Sequence, residues 1–175
     1  MLADPAAPGP GFVFTREAAG GVADAFRKIA FTLPAGPAEI AVLQMSLPSS
    51  YDPAQQGPIY VVDFAFAYNR LATTTAGETR VQPVFEQGGR WFAPRSATVY
   101  GSPVWMTTRL GGYTVDEFEL VAGPACAAGV ACPDFAVDAA PIRFGLLAGV
   151  RIPAGSPAGS VELGVDDWRV GVWRR

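Results

Sequence analysis

PIYVVDFAFAYN, residues 58–69, decides the fold class. Tyr60, Val62, Phe64, Phe66 and Tyr68 fall on one face at a period of two. Ile59, Val61, Asp63, Ala65 and Ala67 fall on the other. Alternation of this kind is strand geometry, because successive side chains of an extended chain point to opposite faces. The aromatic face is the core side. The other face is small and apolar apart from Asp63, which suits a sheet that is only half covered.

Outward from this stretch, short apolar runs alternate with Gly, Pro and Ser clusters. Further strands are expected at 12–15, 25–33, 40–47, 80–86, 90–92, 97–100, 104–109, 116–121, 142–151 and 160–173. Many short strands with turn signals between them predict an all-β sandwich or barrel with little helix. Tyr60, Phe64, Phe66, Phe144, Trp168 and Val170 are the expected core. Two places invite a helical turn: 15–26, and the segment after Thr114, where Glu117 three residues later can complete a capping box. The pairs Gly88-Gly89 and Gly111-Gly112 read as hairpin turns. Residues 1–11, MLADPAAPGPG, read as a flexible lead-in, and residues 12–175 as a single sandwich domain.

The chain has 175 residues, half of them apolar and 17% charged, which excludes a disordered segment. Its 20 Gly and 16 Pro argue against long helices. There is no His, so Ser-His-Asp and Cys-His triads and His-ligated zinc are excluded together. The net charge is −3 and the basic residues are scattered, which argues against a nucleic-acid partner. No apolar run reaches the roughly 18 residues of a membrane-spanning helix. The N-terminus shows no signal peptide, so an exported protein would be a trimmed chain or one domain of a longer one. Cys126 and Cys132 are spaced C-x5-C in a Gly/Ala/Pro loop. A disulfide fits this spacing best, and two reduced thiols are the alternative. A disulfide would imply an oxidising compartment.

Three segments carry a resemblance: PVWMTTRLGGYTVDEFELV at 103–121, PDFAVDAAPIRFGLL at 133–147 and GVDDWRVGV at 164–172. In order and spacing, residues 58–173 resemble jelly-roll domains of secreted bacterial proteins. These are concanavalin-A-like or carbohydrate-binding-module-like sandwiches, as found in PEP-CTERM-sorted surface proteins. The chain departs from them in having Asp167 where Asn is commoner, in the cysteine loop before PDF, and in lacking the sorting tail. The resemblance implies an all-β, antiparallel β-sandwich of jelly-roll type with little helix, and it implies fold more than function. It also implies a structural calcium ion held near Asp166 or Asp167, with Glu17 or Asp24 as partners; the other reading is a capped turn or a pair with an Arg such as Arg169 or Arg143.

Asp116, Glu117 and Glu119 lack the acid–nucleophile spacing of sandwich glycosidases and read as solvated. Trp91, Tyr100 and Trp105 lie close together in sequence, on strands that consecutive hairpins would set side by side. Trp91 and Trp105 read either as ordinary packing or, with Tyr100, as a ligand platform, while Trp168 shares a phase with Val170 and Val172 and belongs to the core. The reading is therefore a non-catalytic extracellular or cell-surface binding module for carbohydrate or a surface polymer. The alternative is a structural or assembly subunit of a surface layer, filament or virion decoration, whose partners are copies of itself.

Overall fold

The structure, a computed structural model, describes residues 11–22 and 24–174, and of residues 45–49 the backbone only. The expected lead-in therefore lies, except for Gly11, outside the described residues. The elements run β1 (Gly11–Gly21), β2 (Asp24–Leu33), β3 (Ala38–Tyr51), α1 (Pro53–Gln56), β4 (Ile59–Thr73), β5 (Glu78–Gln87), β6 (Arg90–Pro94) and β7 (Val99–Tyr100). They continue β8 (Met106–Tyr113), a 3-10 turn (Val115–Glu117), β9 (Phe118–Ala122), β10 (Ile142–Ile152) and β11 (Gly159–Arg174). Sheet 1 has the order β1-β2-β11-β4-β8, and sheet 2 the order β3-β10-β5-β6-β9, with β7 pairing β5. All pairings between the described strands are antiparallel. The fold is an antiparallel β-sandwich of jelly-roll type.

The inner faces meet in a core that β4 organises. Val62, Phe64, Phe66 and Tyr68 point inward against Phe144, Leu146 and Ala148 of β10 and Val81 and Phe85 of β5. Trp168 packs against both halves of this core, with ring centroids 6.0 Å from Phe64 and 5.7 Å from Phe66. Burying such rings is the main stabilising term of a sandwich this size. Phe64, Phe66 and Phe144 are buried as expected, and Trp168 and Val170 are half-buried on the core side.

Tyr60 is a correction: it is 50% exposed, and Ile59 takes the inward place. The register shifts between Trp173 and Arg174 opposite this end of β4, so a slip of one residue turns Tyr60 outward. A second slip lies in β11. Val161, Leu163 and Val165 point inward, and then Trp168, Val170 and Val172 do. The phase changes at Asp166–Asp167, where Asp167 adopts φ 50°. That left-handed conformation strains most residues with a Cβ but is tolerated by Asn and Asp. An Asn at this position would meet the same backbone demand as the Asp here.

Two turn readings are also corrected. Residues 15–21 and 24–26 lie in the strands of the β1–β2 hairpin rather than in a helical turn; Phe26 is held there against Trp105, and that contact outweighs local propensity. Gly111-Gly112 is not a hairpin turn but lies inside β8, at a register shift opposite Asp63. Gly88-Gly89 does close the β5–β6 hairpin, with both residues at positive φ as a two-residue turn demands. The capping box after Thr114 forms: Glu117 Oε2 accepts from Thr114 N at 2.7 Å. Cys126 and Cys132 are joined in a disulfide within the long β9–β10 connection.

Candidate functional site

The outward face of sheet 2 is built mainly from small and apolar residues. From β10 it presents Gly145, Leu147 and Gly149, flanked in register by Val84, Gln82 and Arg80 of β5. Leu43 and Ala41 of β3 stand beside Leu147 and Gly149. Val84, Ala93 and Leu147 are buried although they face outward, packed with Leu43, Trp91 and Val121. An apolar strip thus crosses the sheet from β3 to β9.

Polar groups close both ends. At one end Arg143 Nε donates to Glu86 Oε2 at 2.8 Å, and Gly89 N donates to Glu86 Oε1 at 2.7 Å. Trp91 lies opposite Glu86. At the other end Arg80 crosses β10 to reach Glu39 Oε1 at 2.6 Å. It passes over Gly149, where an added Cβ would stand 3.1 Å from Arg80 Nε and 3.2 Å from Ile40 O. The missing side chain of Gly149 is what lets the guanidinium cross. Tyr100 lies opposite Arg80, 58% exposed. A small pocket of about 150 Å³ opens there, lined by Glu39, Glu78, Arg80, Thr98, Tyr100 and Arg151. Arg80 and Glu86 are six residues apart on β5, so Trp91 and Tyr100 bracket roughly 20 Å of floor. A long apolar floor, aromatic rings at its ends and charged hydrogen-bonding pairs beside them can hold an elongated ligand with apolar ring faces and many hydroxyl groups.

The expected trio is therefore divided. Trp91 and Tyr100 share the outer face of sheet 2. Trp105 belongs to the outer face of sheet 1, where its ring lies on Gly164 and packs edge-to-face with Phe26 at a centroid distance of 5.2 Å, and its Nε1 donates to Gly20 O at 2.8 Å. Its outward phase with Thr107 and Arg109 is as read, but the β1–β2 hairpin covers it. Sequence reasoning passed over Trp173, which is 60% exposed. Its signal was present: it shares a phase with Arg169 and Gly171, opposite to Trp168.

The acidic residues have separate tasks. Glu117 is engaged in its cap, Glu119 lies opposite Ala93 at the rim of sheet 2, and Asp116 lines an open pocket with Arg95 and Asp134 beside the disulfide. Asp167 Oδ1 is ion-paired with Arg169 Nη2 at 2.7 Å. Asp166 Oδ1 accepts from Asp167 N at 2.7 Å, while Oδ2 faces the β1–β2 hairpin, where a Cβ on Gly21 would meet it at 2.5 Å. The hairpin named as the partner region is thus beside Asp166. Glu17 is committed elsewhere: the Thr15 hydroxyl and the Lys28 ammonium hold its carboxyl below the usual range. Among the described residues no group of three or more His, Cys, Asp or Glu side chains could hold a metal ion. A calcium ion beside Asp166 would have to complete its roughly six to eight oxygens from backbone carbonyls.

No family model matches the chain, and no curated protein matches it. Solved structures do. A family 11 carbohydrate-binding module from Clostridium thermocellum, solved in complex with a β-1,3-1,4-mixed-linked tetrasaccharide, is similar with a TM-score of 0.51 at 10% identity, over 96% of this chain and 87% of that one. A family 4 carbohydrate-binding module is similar with a TM-score of 0.38 at 9% identity, over 91% and 94%. The first of these likenesses places the chain on a jelly-roll fold that carbohydrate-binding modules also use.

Proposed function

We propose that this chain is a non-catalytic carbohydrate-binding module whose ligand lies on the outer face of sheet 2, between Trp91 and Tyr100. One observation carries the reading: two aromatic rings bracket a largely apolar floor whose ends hold the pairs Glu86–Arg143 and Glu39–Arg80. Sugar rings present apolar faces to aromatics and hydroxyl groups to such pairs. The fold similarity to a module solved with a tetrasaccharide supports the ligand class. The disulfide supports an extracellular or cell-surface location. A structural calcium ion between Asp166 and the β1–β2 hairpin belongs to the same proposal and takes no part in binding chemistry.

The test is isothermal titration with soluble neutral glucans, mixed-linked β-glucan first, on the wild type, Trp91→Ala and Tyr100→Ala. Each variant should weaken binding at least about tenfold, as loss of an aromatic anchor does. No binding by the wild type to any neutral glucan, or full binding by both variants, overturns the reading. One feature favours self-assembly instead. Among the described residues nothing pairs with the outer edge of β1, which exposes Phe12, Val13 and Phe14. A large particle mass in sedimentation, abolished by Val13→Lys, would establish that second reading.

A further inference from the structure

The outer face of sheet 1 carries a constellation that the floor of sheet 2 does not use. Trp173 is 60% exposed, yet its ring is fixed. Its Nε1 donates to Asp63 Oδ2 at 2.6 Å, and Gly112 N donates to Asp63 Oδ1 at 2.7 Å. Asp63 thus spends both oxygens on N–H groups of the two strands that flank β4. The ring leans over Gly171, whose added Cβ would stand 3.8 Å from Nε1. A large ring pinned in water by a hydrogen bond, with its face uncovered, is preorganised to receive something flat and apolar.

Beside it, Arg169, Ala65 and Arg109 form one row across β11, β4 and β8. The strand spacing sets the two arginine Cα atoms about 10 Å apart, with only a methyl group between them. Gly111 and Gly171 extend this floor, and the pocket so formed measures about 290 Å³. That is the low end of the size of small-molecule sites and suits one ring. Arg169 is held by Asp167 through Nε at 2.9 Å and Nη2 at 2.7 Å, leaving Nη1 to turn elsewhere. The Arg109 guanidinium has no hydrogen-bond or ion-pair partner among the described residues. Its planar fork matches a carboxylate.

We propose that this is a second binding site, for a hexuronate unit of an acidic polysaccharide. The pyranose face lies on Trp173, and the carboxylate is taken by Arg109 with Arg169 beside it. A neutral sugar would leave the Arg109 fork without its matching acceptor. An acidic peptide adding as a strand finds no edge here, because β4 and β11 are already paired on both sides. The site stands independently of the floor on sheet 2.

The probe is de-esterified polygalacturonate, with fully methyl-esterified pectin as the control that keeps the ring and removes the charge. Tryptophan fluorescence and titration calorimetry follow the wild type, Trp173→Ala, Arg109→Gln and Trp91→Ala. Polygalacturonate should bind and shift the emission. Binding should weaken at least about tenfold in Trp173→Ala and in Arg109→Gln, as loss of a charge-assisted hydrogen bond does. It should fall with rising salt, be lost on esterification, and be unchanged in Trp91→Ala. Both site residues are exposed, so the variants should fold, and the melting temperature checks this. No binding by the wild type, full binding by either site variant, equal binding of the ester, or loss in Trp91→Ala overturns the proposal. So does a wild-type dimer that Trp173→Ala dissociates without any uronate binding. If neutral glucans fail to bind while this pattern holds, the sheet 2 reading falls and this one stands.

Discussion

The two outer faces of the sandwich treat their tryptophans in opposite ways. On sheet 1, Trp105 sinks onto Gly164, so close that an added Cβ there would be 2.7 Å from its ring. It ties Phe26 and Gly20 of the β1–β2 hairpin to the sheet. On the same face Trp173 leans over Gly171 without sinking onto it, and among the described residues its Nε1 is held by Asp63. On sheet 2, Trp91 joins an apolar strip beside an ion pair. Residue type therefore does not tell binding from packing. What lies over the ring does: a hairpin covers Trp105, neighbours on the sheet flank Trp91, and nothing among the described residues stacks on the ring of Trp173.

Both faces rest on one core, so the largest effect comes from removing it. Phe64→Ala strips a ring that meets Tyr113, Phe144 and Trp168 and should cost about 3–5 kcal/mol in chemical denaturation. It should weaken both faces together. A loss below 1 kcal/mol would mean that the inward phase of β4 is wrong. The sharper comparison is between the two tryptophans of sheet 1. Trp105→Ala should cost roughly 2–3 kcal/mol and free the β1–β2 hairpin, seen as faster amide exchange in β1. Trp173→Ala should change stability by under about 0.5 kcal/mol, as exposed positions do. Equal costs would erase the distinction between a packed ring and a platform.

Much of the fold was legible because alternation survives in single strands. All the expected strands exist, and 25–33, 80–86, 142–151 and 160–173 lie within a residue or two of β2, β5, β10 and β11. Phe64, Phe66 and Phe144 needed only the period of two. Tyr60 was misplaced because a slip of one residue at a strand end leaves composition unchanged while reversing the face. The pairing of Asp63 with Gly112 and Trp173 joins residues far apart in sequence, and Gly111-Gly112 carries the same local signal whether it turns a hairpin or bends a strand. Of the candidate site, Trp91 and Tyr100 were picked out by residue type and share the outer face of sheet 2, but which sheet each aromatic faces depends on strand order, which local patterns do not encode. Arg80 and Glu39 join across β10, so no spacing in the sequence links them.

The smallest expected effect separates two neighbouring carboxylates in the β11 bulge. Asp167 is there for its backbone: φ 50° calls for Asn, Asp or Gly, and its carboxylate pairs with an exposed arginine, a pair worth at most about 1 kcal/mol. Asp166 is there for the hairpin, with Oδ2 turned toward Gly21. If calcium sits between Asp166 and the hairpin, it stabilises by mass action, about 1.4 kcal/mol at free calcium ten times the dissociation constant. For a domain of this size that is a rise of roughly 3–6 °C in melting temperature. The rise should persist in Asp167→Asn, which keeps the left-handed conformation and removes only the outward charge. It should vanish in Asp166→Asn, because the ion then loses its one carboxylate on β11. Melting curves in excess chelator and in millimolar calcium, for the wild type and both variants, decide it. Identical curves for the wild type would remove the ion and leave Asp166 as a polar contact that fixes the hairpin. A rise lost only in Asp167→Asn would move the ion to the outer side of the bulge, next to Arg169. That would also take Asp167 from Arg169 and alter the charge beside Ala65, so this measurement constrains the Trp173 site as well.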